Sequence, residues 1–111
     1  MREVPKDIKN IVTYSGISLE NVDFIFFHQA NKFMTDFFAK KLKYPIEKVP
    51  YSLHKFGNTS AVSIPLTIVS ELHRSEINHK NVIMSGYGGG LSWGTALIQT
   101  NDIYISKLGE Y

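Results

Sequence analysis

Three segments of the sequence carry the residues best suited to chemistry. They are residues 28–31 (HQAN), 57–60 (GNTS) and 86–90 (GYGGG). The side chains of His28 and Asn58 can each donate an N–H group, and a glycine lets a backbone N–H approach a ligand closely. Fixed N–H donors of this kind stabilise an oxygen atom that becomes negatively charged during a reaction. These residues are therefore the candidate site.

Each of these segments follows a predicted strand. The apolar run at residues 24–27 predicts a strand covered on both faces, the alternation over residues 49–53 predicts a short strand, and residues 82–84 predict another buried strand. The ends of such strands in α/β sheets meet at one rim, where ligand sites form. The order along the chain therefore predicts one site rather than three unrelated features.

Taken separately, each segment also has a purely structural explanation. His28 could be a core histidine bonded to a carbonyl group, and Asn58 could cap the helix that follows it. The glycine run could be a turn that needs positive φ angles. Their shared position after strands favours the site.

The remaining pattern predicts helices over residues 5–15, 31–43 and about 57–74. The second helix has Phe33, Met34, Phe37, Phe38 and Leu42 on its apolar face. The third is apolar on most sides, which predicts deep burial and a bend at Pro65. A returning strand over residues 93–99 and a short strand over 103–105 complete the pattern. The predicted fold is a single α/β domain, residues 1–111, with a mixed layered sheet closed by an antiparallel hairpin.

Composition excludes several classes of function. The net charge of +2 is too small to indicate nucleic-acid binding, and no apolar run is long enough to span a membrane. The N-terminus shows no signal peptide, which predicts a cytoplasmic protein. The other histidines lack metal-ligand spacing, so no metal is expected. With no cysteine in the chain, a cysteine nucleophile is excluded within it.

Together, the three segments resemble motifs of beta-ketoacyl-[acyl-carrier-protein] synthase III. The likeness includes residues 57–65 (GNTSAVSIP) and 86–94 (GYGGGLSWG), in the family's order and at similar separations. It extends from about Val4 to Thr100 and covers only the C-terminal portion of the family's fold. The resemblance implies the second half of a thiolase-like α-β-α-β-α layered fold, without the N-terminal half that carries the cysteine nucleophile.

The resemblance also implies roles for individual residues. The family's cysteine takes an acyl group from a coenzyme A thioester, and the carbanion formed when malonyl-acyl carrier protein loses carbon dioxide attacks it. His28 and Asn58 correspond to the family's catalytic histidine and asparagine, and Gly89 to a glycine of the oxyanion hole. Gly88 and Tyr87 adjoin Gly89, and Tyr87 stands where the family usually has phenylalanine.

The partners implied by the resemblance are acyl-CoA and acyl carrier protein, with no bound cofactor. In the family, basic residues on the helix after the histidine receive the acidic carrier protein. The corresponding candidates for carrier-protein docking are Lys32, Lys40, Lys41 and Lys43. A solvated helix face explains these lysines equally well, and Phe33 falls where a carrier-binding arginine is expected.

Because the chain contains no cysteine, it is expected to be an inactive fragment of an acyltransferase that initiates fatty acid biosynthesis. Loss of the N-terminal half would leave the apolar third helix uncovered, which predicts self-association, such as a homodimer. Two alternatives remain open. One is a non-catalytic module that binds carrier protein or acts as a scaffold, and the other is a related Cys-His-Asn synthase of specialised metabolism.

Overall fold

The computed structural model describes residues 3–29, 31–52, 55, 57, 63–72, 79–88 and 92–101. Three helices and three strands lie within these ranges. In chain order they are α1 (Glu3–Ser15), β1 (Phe24–Phe27), α2 (Lys32–Leu42), α3 (Ser63–Glu71), β2 (Asn81–Gly88) and β3 (Ser92–Gln99). Short 3-10 helices occupy Leu19–Asn21 and Ile46–Lys48. Asn58 and Gly89 lie outside the described residues, as do Arg74 and the predicted strand over residues 103–105.

The described strands form a mixed sheet in the order β1-β2-β3. β1 and β2 run parallel, with Phe24 opposite Val82, whereas β2 and β3 form an antiparallel hairpin. The parallel pair needs a long crossover, which α2 and α3 supply between the two strands. The predicted α/β arrangement with a closing hairpin is therefore confirmed within the described part of the chain.

Apolar residues cover both faces of β1, as its unbroken apolar run predicts. Ile25 and Phe27 belong to the larger core cluster, which also receives side chains from α1 and α2. Phe26 packs on the opposite face with Val82 and Leu72. Because successive side chains of a strand point to opposite faces, four consecutive apolar residues serve two separate cores.

Helix α1 confirms the first predicted helix with a small shift of its start. It begins at Glu3, two residues before Pro5, and ends at Ser15. Gly16 follows with a φ of +79°, the left-handed conformation that commonly terminates helices. Val4, Pro5 and Ile8 are buried, so one face of α1 docks on the sheet. None of the described helices is long and apolar enough to cross a membrane.

Helix α2 confirms the second predicted helix, but the prediction of its apolar face was partly wrong. The buried residues are Thr35, Phe38, Ala39 and Leu42. Phe33 is 78% exposed and Phe37 is 41% exposed. At about 100° per residue, both phenylalanines lie on the side of the helix opposite Thr35. The buried stripe therefore includes a threonine, while two large apolar residues face solvent.

The predicted strand over residues 49–53 is absent from its described part. Ile46–Lys48 is a 3-10 helix, and Val49 to Ser52 form no ladder, while Leu53 lies outside the described residues. Pro50 cannot donate a backbone hydrogen bond, which disfavours a strand here. Side chains hold the segment instead, because the Ser52 N–H donates to the Gln29 side-chain oxygen at 3.0 Å.

The prediction that the third helix is deeply buried was wrong for its described residues. The fully buried residues of α3 are polar, namely Ser63 and Thr67 at 1% and 0% exposure. Ile64 and Ile68 are half-buried against the smaller core cluster. The helix also ends at Glu71, before Arg74. The side of α3 that faces the interior is therefore mixed, with fully buried Ser63 and Thr67 beside the partly buried Ile64 and Ile68.

Phe38 and Phe33 offer a matched test of the orientation of α2. Phe38→Ala is expected to lower the free energy of unfolding by about 3–5 kcal/mol, because its ring is fully buried in the larger core. Phe33→Ala is the control and should change it by no more than about 0.5 kcal/mol. Urea unfolding followed by circular dichroism measures both. Similar losses for the two variants would contradict this orientation.

The buried phenol of Tyr44 is expected to lower the stability of the fold at alkaline pH. Burial, followed by the nearby charge of Asp23, raises the pKa of its phenol above the ordinary value of 10.0. A raised folded-state pKa contributes stability that is complete below the unfolded pKa and is lost as the pH rises through the folded pKa. The free energy of unfolding should therefore fall above pH 10.0, and Tyr44→Phe should reduce that fall.

Urea titrations at about pH 8 and about pH 11 measure this effect. At the lower pH, Tyr44→Phe should cost about 1–2 kcal/mol, because the hydroxyl donates to the Val22 carbonyl at 2.7 Å. Tyr14→Phe is the matched control, since that side chain is 94% exposed. The same alkaline loss in Tyr44→Phe and in the unmodified chain would refute the assignment.

Candidate functional site

His28 lies directly after β1 and is held by the end of β2. Its backbone N–H donates to the Ser85 carbonyl at 3.0 Å, which extends the parallel pairing by one residue. Its carbonyl accepts a hydrogen bond from the Tyr87 hydroxyl at 3.2 Å. The structure therefore brings His28 and Tyr87 together at the rim where the sequence predicted a site.

The imidazole ring of His28 is half-buried and is contacted from two directions. Its Nδ1 atom lies 2.9 Å from the Ser63 hydroxyl oxygen, at the start of the described part of α3. The Tyr87 ring meets it edge to face, with ring centroids 5.3 Å apart and planes at 86°. Contacts from α3 and β2 thus restrain the ring of a residue that itself follows β1.

Tyr87 is a buried residue that joins the site to the larger core. Its ring packs edge to face on Phe38 at 5.4 Å, and burial raises the pKa of its phenol to about 12. The hydroxyl is therefore protonated at neutral pH and can donate to the His28 carbonyl. The hydroxyl that distinguishes Tyr87 from phenylalanine is bonded to the protein backbone.

Gln29 anchors a buried polar network beneath the histidine. Its side-chain amide donates to the Phe27 carbonyl at 2.8 Å and accepts from the Ser52 N–H. The Ser52 and Thr67 hydroxyls lie 2.7 Å apart, and the Thr67 hydroxyl donates to the Ser63 carbonyl at 2.7 Å. Among the described residues, no buried side-chain nitrogen or oxygen lacks a partner. The network ties the loop before α3 to the end of β1.

The predicted docking lysines do not form one cluster. Lys32 lies in the first turn of α2, four residues after His28, and its ammonium group bonds Asp36 at 2.8 Å. That hydrogen bond raises the pKa of Lys32. Lys40 and Lys41 lie in the last turn, and Lys43 caps the helix. At 1.5 Å per residue, about 16 Å of helix separates Lys32 from Lys43. Of the four lysines, Lys32 is therefore the one nearest to His28 along the chain.

Two predicted site residues, Asn58 and Gly89, lie outside the described part of the chain, but the residue before each of them is described. Gly57 has a φ of +67°, in the left-handed region that favours glycine. Gly88 is the last residue of β2 and pairs with Ser92 across the hairpin. Within the described ranges, no three histidine, cysteine, aspartate or glutamate side chains are grouped to hold a metal ion.

Ser63, Gln29 and Thr67 were missed as site-supporting residues at the sequence level. Their signal was nevertheless present in the spacing. Ser63 and Thr67 are four residues apart with only apolar residues between them, so they share a face that those neighbours cannot satisfy. Gln29 follows His28 directly, at the end of a buried strand. Polar residues in such surroundings indicate buried hydrogen bonds.

The sequence matches known proteins over most of its length. Residues 12–100 match the family model described as 3-Oxoacyl-[acyl-carrier-protein (ACP)] synthase III C terminal. Beta-ketoacyl-[acyl-carrier-protein] synthase III of Bacillus pumilus is 40% identical over 95 residues, which are 85% of this chain and 30% of that protein. The Streptococcus sanguinis protein of the same name is 40% identical over 101 residues, or 88% of this chain and 31% of that protein.

Solved structures give the same result for the fold. The chain is similar to 3-oxoacyl-[acyl-carrier-protein] synthase III from Aquifex aeolicus, with a TM-score of 0.83 and 32% identity, over 88% of this chain and 32% of that one. For the Burkholderia xenovorans 3-oxoacyl-(acyl-carrier protein) synthase the TM-score is 0.84 and the identity 36%, over 94% and 30%.

These matches confirm the predicted thiolase-like fold class. They also show that the chain spans about a third or less of the length of its relatives. The family model covers 89 of the 111 residues, because it runs from residue 12 to residue 100. The chain therefore belongs to the 3-oxoacyl-[acyl-carrier-protein] synthase III family, of which it represents the C-terminal part.

Proposed function

We propose that this chain supplies the histidine and asparagine donors of a decarboxylative condensation between an acyl-cysteine and malonyl-acyl carrier protein. The observation that carries the proposal is the placement of His28. It lies at the rim where the parallel strands β1 and β2 end, with Nδ1 at 2.9 Å from Ser63 and its carbonyl bonded to Tyr87. A histidine held in this way is prepared to donate in a fixed direction.

Two N–H donors match the needs of the decarboxylation step. When malonyl thioester loses carbon dioxide, negative charge develops on the thioester oxygen, and donors from His28 and Asn58 stabilise the resulting enolate. The enolate carbon then attacks the acyl thioester carbonyl, whose oxygen is stabilised by backbone N–H groups, including that of Gly89. The C–S bond to the cysteine breaks, and the cysteine leaves as a thiolate. The cysteine that carries the acyl group has no counterpart among these 111 residues, so another stretch of polypeptide must supply it.

The proposed partners follow from the family and from the charge beside the site. Acyl-CoA and an acyl carrier protein would deliver the two substrates, and the N-terminal half of a synthase would deliver the cysteine. Lys32 is the docking lysine we favour, since it is exposed and begins α2 four residues after His28. A carrier protein long enough to cover all of α2 would also reach Lys40, Lys41 and Lys43.

A chimaeric enzyme tests the proposal. The C-terminal part of a full-length synthase III relative is replaced by this chain, and formation of ketoacyl product is measured. We expect condensation that depends on His28 and Asn58. His28→Ala and Asn58→Ala should each lower kcat by roughly 10²–10³-fold, the usual loss when one donor to a developing oxyanion is removed.

Asn10→Ala is the matched control for Asn58→Ala, because Asn10 is an exposed residue of α1, a helix that carries none of the proposed site residues. Its turnover should equal that of the unmodified chimaera. Full activity in the His28 and Asn58 variants would exclude their catalytic role. An inactive chimaera with a folded C-terminal part would contradict the proposal itself.

A second candidate function is favoured by the exposed lysines of α2. Lys32, Lys40 and Lys41 are all accessible to solvent. A non-catalytic module would bind carrier protein through α2 without needing His28 or Asn58. Carrier-protein binding by the 111-residue chain that survives His28→Ala, in the absence of any chimaeric activity, would favour this second function.

Self-association is the expected behaviour of the isolated chain. Leu66 and Val69 lie on the side of α3 opposite Ile64 and Ile68, and they are only half-buried, so apolar side chains on that side remain partly in contact with water. Pairing two copies would remove part of this surface from water, which stabilises the pair by about 25 cal/mol per Å² of apolar surface buried. Light scattering over a hundredfold range of concentration should show a dimer or larger species. A monomer throughout would count against this expectation.

A further inference from the structure

We propose that Ser63 is a positioning residue that holds His28 in the tautomer with its proton on Nε2. The catalytic role of this tautomer rests on the proposed condensing function, whereas the hydrogen bond between Ser63 and His28 does not depend on it. The Ser63 hydroxyl oxygen lies 2.9 Å from His28 Nδ1, and these residues are 35 positions apart in the chain. The contact joins α3 directly to the end of β1.

The direction of the hydrogen bond follows from counting protons at Ser63. The Ser63 oxygen already accepts a hydrogen bond from the Gln29 backbone N–H at 3.3 Å. A hydroxyl has one proton to donate, and a neutral imidazole has one nitrogen that donates and one that accepts. Either Ser63 donates to Nδ1, or Nδ1 donates to an oxygen that already accepts from Gln29.

The neighbouring hydroxyls favour donation by Ser63. Thr67 donates its proton to the Ser63 carbonyl, so Ser52 must donate in the 2.7 Å contact between the Ser52 and Thr67 hydroxyls. Neither hydroxyl contacts the Ser63 side chain. Among the described residues, His28 Nδ1 is the acceptor that the Ser63 hydroxyl reaches. A buried hydroxyl proton without an acceptor is costly, so the Ser63 proton is directed to Nδ1.

The consequence concerns the other nitrogen of the ring. With Nδ1 accepting, the imidazole proton resides on Nε2, which has no partner among the described residues. Nε2 is then the donor available to the substrate oxygen. The Ser63 side chain is only 1% exposed, and the Tyr87 ring lies against the imidazole. Water therefore does not compete for the hydrogen bond between Ser63 and Nδ1. Ser63 would thus act on the substrate through His28 without touching it.

Nitrogen-15 NMR of the 111-residue chain tests the tautomer without reference to activity. At a pH where the ring is neutral, long-range proton–nitrogen correlations should show His28 as a single species protonated on Nε2. In Ser63→Ala, the share of the Nδ1-protonated form should rise about fivefold or more, because one hydrogen bond that selects between the forms is lost. Ser63→Thr retains the hydroxyl and should restore the original spectrum.

Thr67→Val is the matched control, because it removes a buried hydroxyl one turn further along α3 that does not contact His28. It should leave the His28 tautomer unchanged. Finding the proton on Nδ1 in the unmodified chain would overturn the proposal, whatever the variants do. An unchanged tautomer ratio in Ser63→Ala would overturn it as well.

The chimaeric enzyme supplies a second readout. Ser63→Ala should lower kcat about tenfold with little change in KM for the malonyl substrate, since orientation of a donor is lost rather than a binding contact. Ser63→Thr should recover most of that loss. Unaltered kcat in Ser63→Ala would contradict the positioning role. An inactive unmodified chimaera would instead count against the condensing function, and the NMR result would still decide the role of Ser63.

Discussion

Parallel pairing between β1 and β2 determines where every described site residue lies. Because the strands run in the same direction, their carboxyl ends reach the same edge of the sheet, and His28 meets Ser85 and Tyr87 there. An antiparallel pairing would have put His28 at the opposite edge from Tyr87. Parallel strands also require a crossover connection, and here it packs α3 against the smaller core cluster. From that position Ser63 contacts His28 at the end of β1.

A second constraint on the site is that its buried polar groups must all form hydrogen bonds. Gln29, Ser52, Ser63 and Thr67 are nearly inaccessible to water, yet each makes hydrogen bonds within the protein. In a low-dielectric interior such a network has few alternative arrangements, because breaking one bond leaves a donor or acceptor unpaired. The apolar cores on the two faces of β1 fix the strand, and the polar network fixes the loop and side chains beyond its end.

Residue patterns alone were sufficient for the elements with strong local signals. The apolar run of β1 and the stop at Gly16 both appear as expected, because burial on two faces and a left-handed helix end each have a distinct sequence signature. The position of His28 at the rim followed from the same reasoning.

The failures came where tertiary contacts overrode local preference. Phe33 and Phe37 are exposed because the docking face of α2 is centred on Thr35 and Phe38 instead. The alternation around Tyr51 suggested a strand, but the segment is bound through Ser52 and Gln29 side chains. No periodicity in the sequence could reveal a contact such as that of Ser63 with His28, which joins residues 35 positions apart.

The backbone at Gly57 places an unusual demand on the position just before Asn58. Its φ of +67° is unfavourable for an L-amino acid, by roughly 1–2 kcal/mol, because Cβ comes too close to the following carbonyl oxygen. Yet, apart from the two chain neighbours of Gly57, a Cβ added there would meet no atom of the described residues within 4 Å. Glycine is therefore favoured at position 57 by the left-handed backbone conformation and not by a lack of space. A D-alanine, whose side chain projects in the mirror-image direction, would suit this position as well as glycine does, whereas L-alanine in the same open space would not.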